Sequence, residues 1–107
     1  MRKVQTIYIS GPMTGIPLLN FPAFHDAHHQ LRIMGFDVVN PAEVNPDSEA
    51  SRYTCLRHDL AALTHCDAVA LLPGWEHSPG ARRELENALA MGFIVAPLGA
   101  WLVPDKS

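Results

Sequence analysis

Apolar residues along this chain follow two alternating rhythms: short continuous runs, and stripes that recur every three or four positions. Val4 to Ser10 (VQTIYIS) is β-branched and aromatic, ends at Gly11-Pro12, and reads as a strand. Phe21, Phe24, Ala27, Leu31 and Met34 then recur at helical spacing. Asn20 is the candidate N-cap of that helix, Pro22 suits its first turn, and Gly35 supplies the stop. Asp37 to Asn40 (DVVN) is a second short strand closed by Pro41, and the polar, proline-containing stretch 41–51 reads as a loop. Tyr53, Leu56, Leu60 and Leu63 form the stripe of a second helix through Thr64. Asp67 to Pro73 (DAVALLP) is almost continuously apolar, as in a strand covered on both faces. Ser78-Pro79 opens a third helix that runs to Met91 and stops at Gly92. Phe93 to Pro97 (FIVAP) is a fourth strand, followed by a tail containing Trp101.

Strand and helix therefore alternate from end to end, which implies an α/β fold: a doubly wound, flavodoxin- or Rossmann-like parallel sheet of about four strands, helices on both faces. The expected strand order is 2-1-3-4. Ligands of such sheets bind outside the carboxyl ends of the strands, where the winding reverses. That places Ser10-Gly11, Asn40 and Pro73-Gly74 around one crevice.

Composition narrows the picture. A length of 107 residues fits one domain over 1–107, and 48% hydrophobic with 18% charged residues is ordinary for a soluble protein. A net charge of −3 argues against a surface for polymeric nucleic acid but leaves room for a small nucleotide. The apolar run near the N-terminus is too short for a secretion signal, and no stretch approaches a membrane span. Two cysteines, Cys55 and Cys66, form no framework, so a reducing cytoplasm is expected.

Projected at 100° per residue, the third helix carries Ala81, Leu85, Ala88, Leu89 and Met91 on one arc and Arg82, Arg83, Glu86 and Asn87 on the other. Glu84 falls inside the apolar arc. An unpaired buried charge is costly, so such a carboxylate is either partnered, as in a salt bridge at a surface, or functional. Asp59 lies at the border of the second helix's stripe, where an acid is ordinarily just solvated. Asp67 opens the third strand at the end away from the crevice and reads as a turn or cap residue; Glu76 lies near the crevice. SGPMTG (Ser10 to Gly15) sits between strand and helix and has backbone N–H groups to offer a phosphate or ribose, although it matches neither GxGxxG nor a P-loop. Ser78 suits either plain N-capping or a hydroxyl contact beside a positive helix end. Six histidines show no ligand spacing: His25 and His29 are four apart but project away from the apolar arc, so no metal and no cofactor is expected.

YISGPMTG, NFPAF, VVNPAE and the run from Asp59 through CD, LLPGWE and Gly80-Ala81-x-x-Glu84-x-x-x-Ala88 together resemble the nucleoside 2-deoxyribosyltransferase superfamily, in particular its short members found in phages and prophages. The resemblance covers nearly the whole chain. It implies that Glu84 attacks the anomeric carbon, that Asp59 organises the sugar and the departing base, and that Tyr8 holds the nucleophile by a hydrogen bond. Tyr8 and Ser10 share a strand face, which makes that last role geometrically reasonable. Ser10, Gly11, Gly15, Asn40, Gly74 and Ser78 are the implied contacts to a nucleoside or nucleotide. Relatives that act on monophosphates carry an arginine in the first loop, whereas SGPMTG has none; Arg82 or Arg83 is the substitute. The superfamily completes its sites across subunits, so a homodimer or larger homo-oligomer is expected, with Trp101, Leu102 and Val103 as an apolar tail against a neighbour.

The implied reaction is cleavage or transfer at an N-glycosidic bond through a glycosyl-enzyme ester, parallel to retaining glycoside hydrolysis. Two other classes fit the same sequence. A non-catalytic nucleotide-binding or sensing module would use the same crevice but gain nothing from an anion aimed at a sugar carbon, and a structural phage protein would bind no ligand.

Overall fold

The computed structural model describes residues 4–44 and 59–103. Four strands, β1 (Thr6–Ser10), β2 (Asp37–Val39), β3 (Ala68–Leu71) and β4 (Ile94–Pro97), form one parallel sheet in the order β2-β1-β3-β4. Tyr8 faces Val39 on one side and Val69 on the other, which fixes the register at the centre. Around the sheet lie α1 (Phe21–Ile33), α2 (Pro41–Val44), α3 (described over 59–63), α4 (Pro79–Ala90) and α5 (Leu98–Trp101). A turn at Pro17–Asn20, with Leu18, Leu19 and Asn20 at left-handed φ of 55°, 53° and 61°, leads into α1, and a single 3-10 turn at Trp75–His77 leads into α4.

The period of two along each strand divides the core. Ile7 and Ile9 of β1, with Ala68 and Ala70 of β3, point to one face, where Phe24, Ala27 and Leu31 of α1 and Ala42 of α2 cover them. Tyr8 of β1 and Val69 and Leu71 of β3 point to the other, under Leu63 of α3 and Ala88 of α4. Every residue of β3 is buried, as its unbroken apolar sequence requires. Burial of Phe24 and Leu31 is worth roughly 1.5–3 kcal/mol each. Asp67 closes the far end of the sheet: its carboxylate accepts the backbone N–H groups of Gln5 (3.2 Å) and Thr6 (3.0 Å).

Several local expectations change. Part of the stretch read as a loop is α2, begun by Asn40, whose side-chain oxygen accepts the Ala42 N–H at 3.0 Å. Asn20 does not cap α1 with its side chain. It takes a left-handed φ of 61° and donates its amide to the Pro12 carbonyl at 2.9 Å, tying the first loop to the start of α1. Met34 lies beyond the last turn of α1 and is exposed. Trp101 is not a free tail: its indole N–H is shared by the carbonyls of Val69 (3.1 Å) and Ala96 (3.2 Å), and its ring meets Phe36 edge-on. Leu102 packs on the same core, leaving Val103 exposed. Tyr53 and Leu56, expected in the second helix, lie outside the described residues, as does Cys55.

Candidate active site

Ser78 sets the start of α4, its hydroxyl accepting the Ala81 N–H at 3.2 Å, with Pro79 in the first turn. From that start Ala81, Glu84 and Ala88, spaced three and four apart, are the residues that α4 buries against the sheet. The stripe is narrower than the projected apolar arc, since Leu89 and Met91 are exposed. Glu84 thus points at β1, on the face where the even-numbered residues Tyr8 and Ser10 emerge. The Tyr8 hydroxyl donates to Glu84 Oε2 at 2.5 Å and the Ser10 hydroxyl to Oε1 at 2.6 Å. Both donors are fully buried, and Glu84 keeps only 5% of its surface. The fourth member is Asp59, at the described start of α3, also buried and hydrogen-bonded to Glu84.

Burial raises the Glu84 carboxyl above its ordinary value, and hydrogen bonds from Ser10, Tyr8 and Asp59 pull it back down. Among the described residues, hydroxyls and a second carboxyl meet Glu84 where a salt bridge would have used a lysine or arginine. A hydrogen bond between two carboxyl groups requires a proton on one of them. Burial, the Glu84 charge and the Asp59 charge all hold the Tyr8 phenol far above its usual range, so it remains a neutral donor. Glu84 is therefore a buried acid held by two hydroxyls and a second carboxyl group. Such a pair suits nucleophilic attack followed by proton transfer.

The remaining residues divide by what they touch. A side chain on Gly11 would bring its Cβ within 2.7 Å of Leu72 Cβ, so the first loop passes the third strand's exit too closely for anything larger. A side chain on Gly74, at φ 89°, would bring its Cβ within 3.3 Å of Pro12 Cγ, so the loops after β1 and β3 lie side by side. Gly15 also takes a positive φ, with open space where a side chain would begin. Asn40 stands at the carboxyl end of β2, but its side chain is committed within the fold. The amide nitrogen faces the Phe24 carbonyl and the Nδ1 atoms of His25 and His28, and its oxygen caps α2. Ser78 acts as the N-cap. Arg82 and Arg83 lie on the solvent face of α4, along an open hollow shared with Pro79, Glu86 and Asn87 and apart from Glu84. Among the described residues no three His, Cys, Asp or Glu side chains converge as a metal site. The hydrogen bond from Ser10 to Glu84 is the feature that sequence reading assigned differently, although its signal, the shared strand face with Tyr8, was present.

The family model described as "Domain of unknown function (DUF4406)" matches residues 5–96, from β1 through β4. The chain belongs to the DUF4406 family. None of the curated proteins matches the sequence. Among solved structures, this DUF4406 chain is similar to a 2-deoxyribosyltransferase from Leishmania mexicana, with a TM-score of 0.67 and 20% identity over 87% of its length. The 2-deoxyribosyltransferase of Bacillus psychrosaccharolyticus gives 0.64 and 22% over 84%, and the CMP N-glycosidase of Clostridium botulinum 0.56 and 22% over 85%. The DUF4406 chain spans 63%, 69% and 66% of those three proteins, respectively. At these identities the likeness establishes the shared fold.

Proposed function

We propose that this protein cleaves or transfers the N-glycosidic bond of a nucleoside or nucleoside 5′-monophosphate, with Glu84 as nucleophile. The observation that carries the reading is the buried Glu84 carboxylate, gripped by Tyr8 and Ser10 and joined to Asp59. A structural carboxylate in this position gains nothing over an apolar residue of like volume, whereas a nucleophile needs an anion that is poorly solvated and aimed. The activities for which the structural neighbours are named, deoxyribosyl transfer and CMP N-glycoside cleavage, support the same class of reaction.

In this reading Glu84 attacks C1′ as the base leaves from the opposite face of the sugar. Tyr8 holds the carboxylate, and Asp59 carries the proton that the departing base takes up. Water or a second base then resolves the glycosyl ester. The loops at Gly11–Gly15 and Gly74 frame the sugar. The test is direct: incubate the protein with nucleosides and their 5′-monophosphates, with and without a free acceptor base, and follow base release by chromatography. Base release supports the proposal, and transfer to the acceptor separates transferase from hydrolase. Ligand binding without any release would favour a sensing module.

A further inference from the structure

Ser10 was expected to touch the substrate, and in the structure its hydroxyl is hydrogen-bonded to Glu84. It is the last residue of β1, so of the two hydroxyls that grip Glu84 it stands nearer the carboxyl end of the sheet and the crevice. Tyr8, two residues back, lies about 6–7 Å deeper along the strand. Ser10 is fully buried, and its one hydroxyl proton goes to Glu84 Oε1 at 2.6 Å. While Glu84 is an anion, that proton is not available to a sugar hydroxyl or a phosphate oxygen. The arrangement also distinguishes the two carboxylate oxygens: Oε1 is held by Ser10, the last residue of β1, and Oε2 by Tyr8.

We propose that Ser10 is a positioning residue that presents Oε1 as the attacking oxygen and assists its departure in the second half of the reaction. This rests on the functional reading above. In the first half the C1′–Oε1 bond forms while the C1′–N bond breaks; the bonding pair leaves with the base, which takes the Asp59 proton. Oε1 becomes the singly bonded oxygen of an ester and loses most of its charge, so its hydrogen bond from Ser10 weakens. Oε2 becomes the ester carbonyl oxygen and keeps Tyr8 as donor. In the second half a water joins C1′ and gives a proton to Asp59, and the C1′–Oε1 bonding pair returns to Oε1. Charge reappears on the one atom that Ser10 already faces, with no reorganisation needed. Ser10 therefore matters most in the step that releases the sugar.

The test uses wild type, Ser10→Ala and Ser10→Cys with the same nucleosides and 5′-monophosphates. Acid-quenched intact mass, base release and its pH profile are read together. Ser10→Ala is expected to accumulate the glycosyl adduct, with kcat and KM falling together and kcat down about a hundredfold, the usual scale for one lost donor at developing charge. Ser10→Cys, similar in size but a weaker donor, falls between. The acid limb of the Ser10→Ala kcat/KM profile, which reports the free enzyme, moves to higher pH, because the Ser10 hydrogen bond opposes the effect of burial on Glu84. A raised KM without extra adduct makes Ser10 a substrate contact and overturns this inference alone. Wild type that neither releases base nor forms an adduct overturns the functional reading, and this inference with it. A carbon-13 titration of the Glu84 carboxyl left unmoved by Ser10→Ala overturns the grip itself, without any substrate.

Discussion

At Glu84 two opposing effects meet: burial disfavours the anion, and hydrogen bonds from Ser10, Tyr8 and Asp59 favour it. Burial prevails, so the folded-state value lies above the ordinary carboxylate value of about 4.5. The sign of the stability effect follows. A raised value stabilises the fold fully below the ordinary value, and that contribution is lost as pH rises through the folded-state value. Glu84→Gln does not titrate, so its melting temperature relative to wild type should improve between about pH 4 and 7. Thermal melts of the two proteins at both ends of that range check this, and a difference that does not change with pH contradicts it. Tyr8→Phe removes the donor to Oε2 and leaves a buried acceptor unmet. It should cost about 1–3 kcal/mol in a denaturant titration and push the acid limb of activity to higher pH. Unaltered stability and an unaltered profile would show that the hydrogen bond contributes nothing.

Legibility at the scale of elements depended on how many residues repeated the same signal. β1 and β3 announce themselves through continuous apolar runs, α1 and α4 through stripes at helical spacing, and all four form where the pattern placed them. α2 has a single turn and no period to read, but Asn40-Pro41 with Glu43 is a helix-start signature in miniature. The α4 projection brought out Glu84 correctly as a buried acid, yet it overstated the buried arc. Leu89 and Met91 are exposed, so the buried stripe is only Ala81, Glu84 and Ala88. The pairing of Ser10 and Asp59 with Glu84 joins three elements and was invisible to any one of them. Trp101 was misread because a one-turn helix gives no periodic signal, and its partners are strand carbonyls far away in sequence. Trp101→Phe keeps the ring packing on Phe36 but drops the shared N–H bond. It should lower stability by about 1–1.5 kcal/mol while leaving turnover per folded molecule unchanged, as a urea midpoint and base release on one preparation would show. A fall in specific activity with no loss of stability would mean that α5 reaches the site.

For the molecule as a whole, the sheet order and the two-faced core place Glu84 under the first loop, with Asp67 pinning the opposite end. No helix among the described residues is long and apolar enough to cross a membrane. Leu89 and Met91 near the end of α4 and Ile94 at the start of the edge strand β4 are 59%, 42% and 52% exposed, apolar side chains close together in the sequence. An assembly of two or more copies is expected to use them. Light scattering at tens of micromolar should give at least twice the mass of one chain, and Ile94→Glu should reduce it. A monomer in the wild type would contradict the expectation.

The most direct measurement compares Glu84→Gln with wild type in two readouts on the same preparations, melting temperature and base release from nucleosides or their 5′-monophosphates. Gln keeps the size of the side chain and an oxygen for Tyr8 or Ser10, but it can neither neutralise charge developing at C1′ nor form the glycosyl ester. The predicted result is a folded protein, at least as stable as wild type at neutral pH, that has lost nearly all base release. Full base release from a well-folded Glu84→Gln protein would contradict the nucleophile, and so would a variant that melts early while its folded fraction stays active.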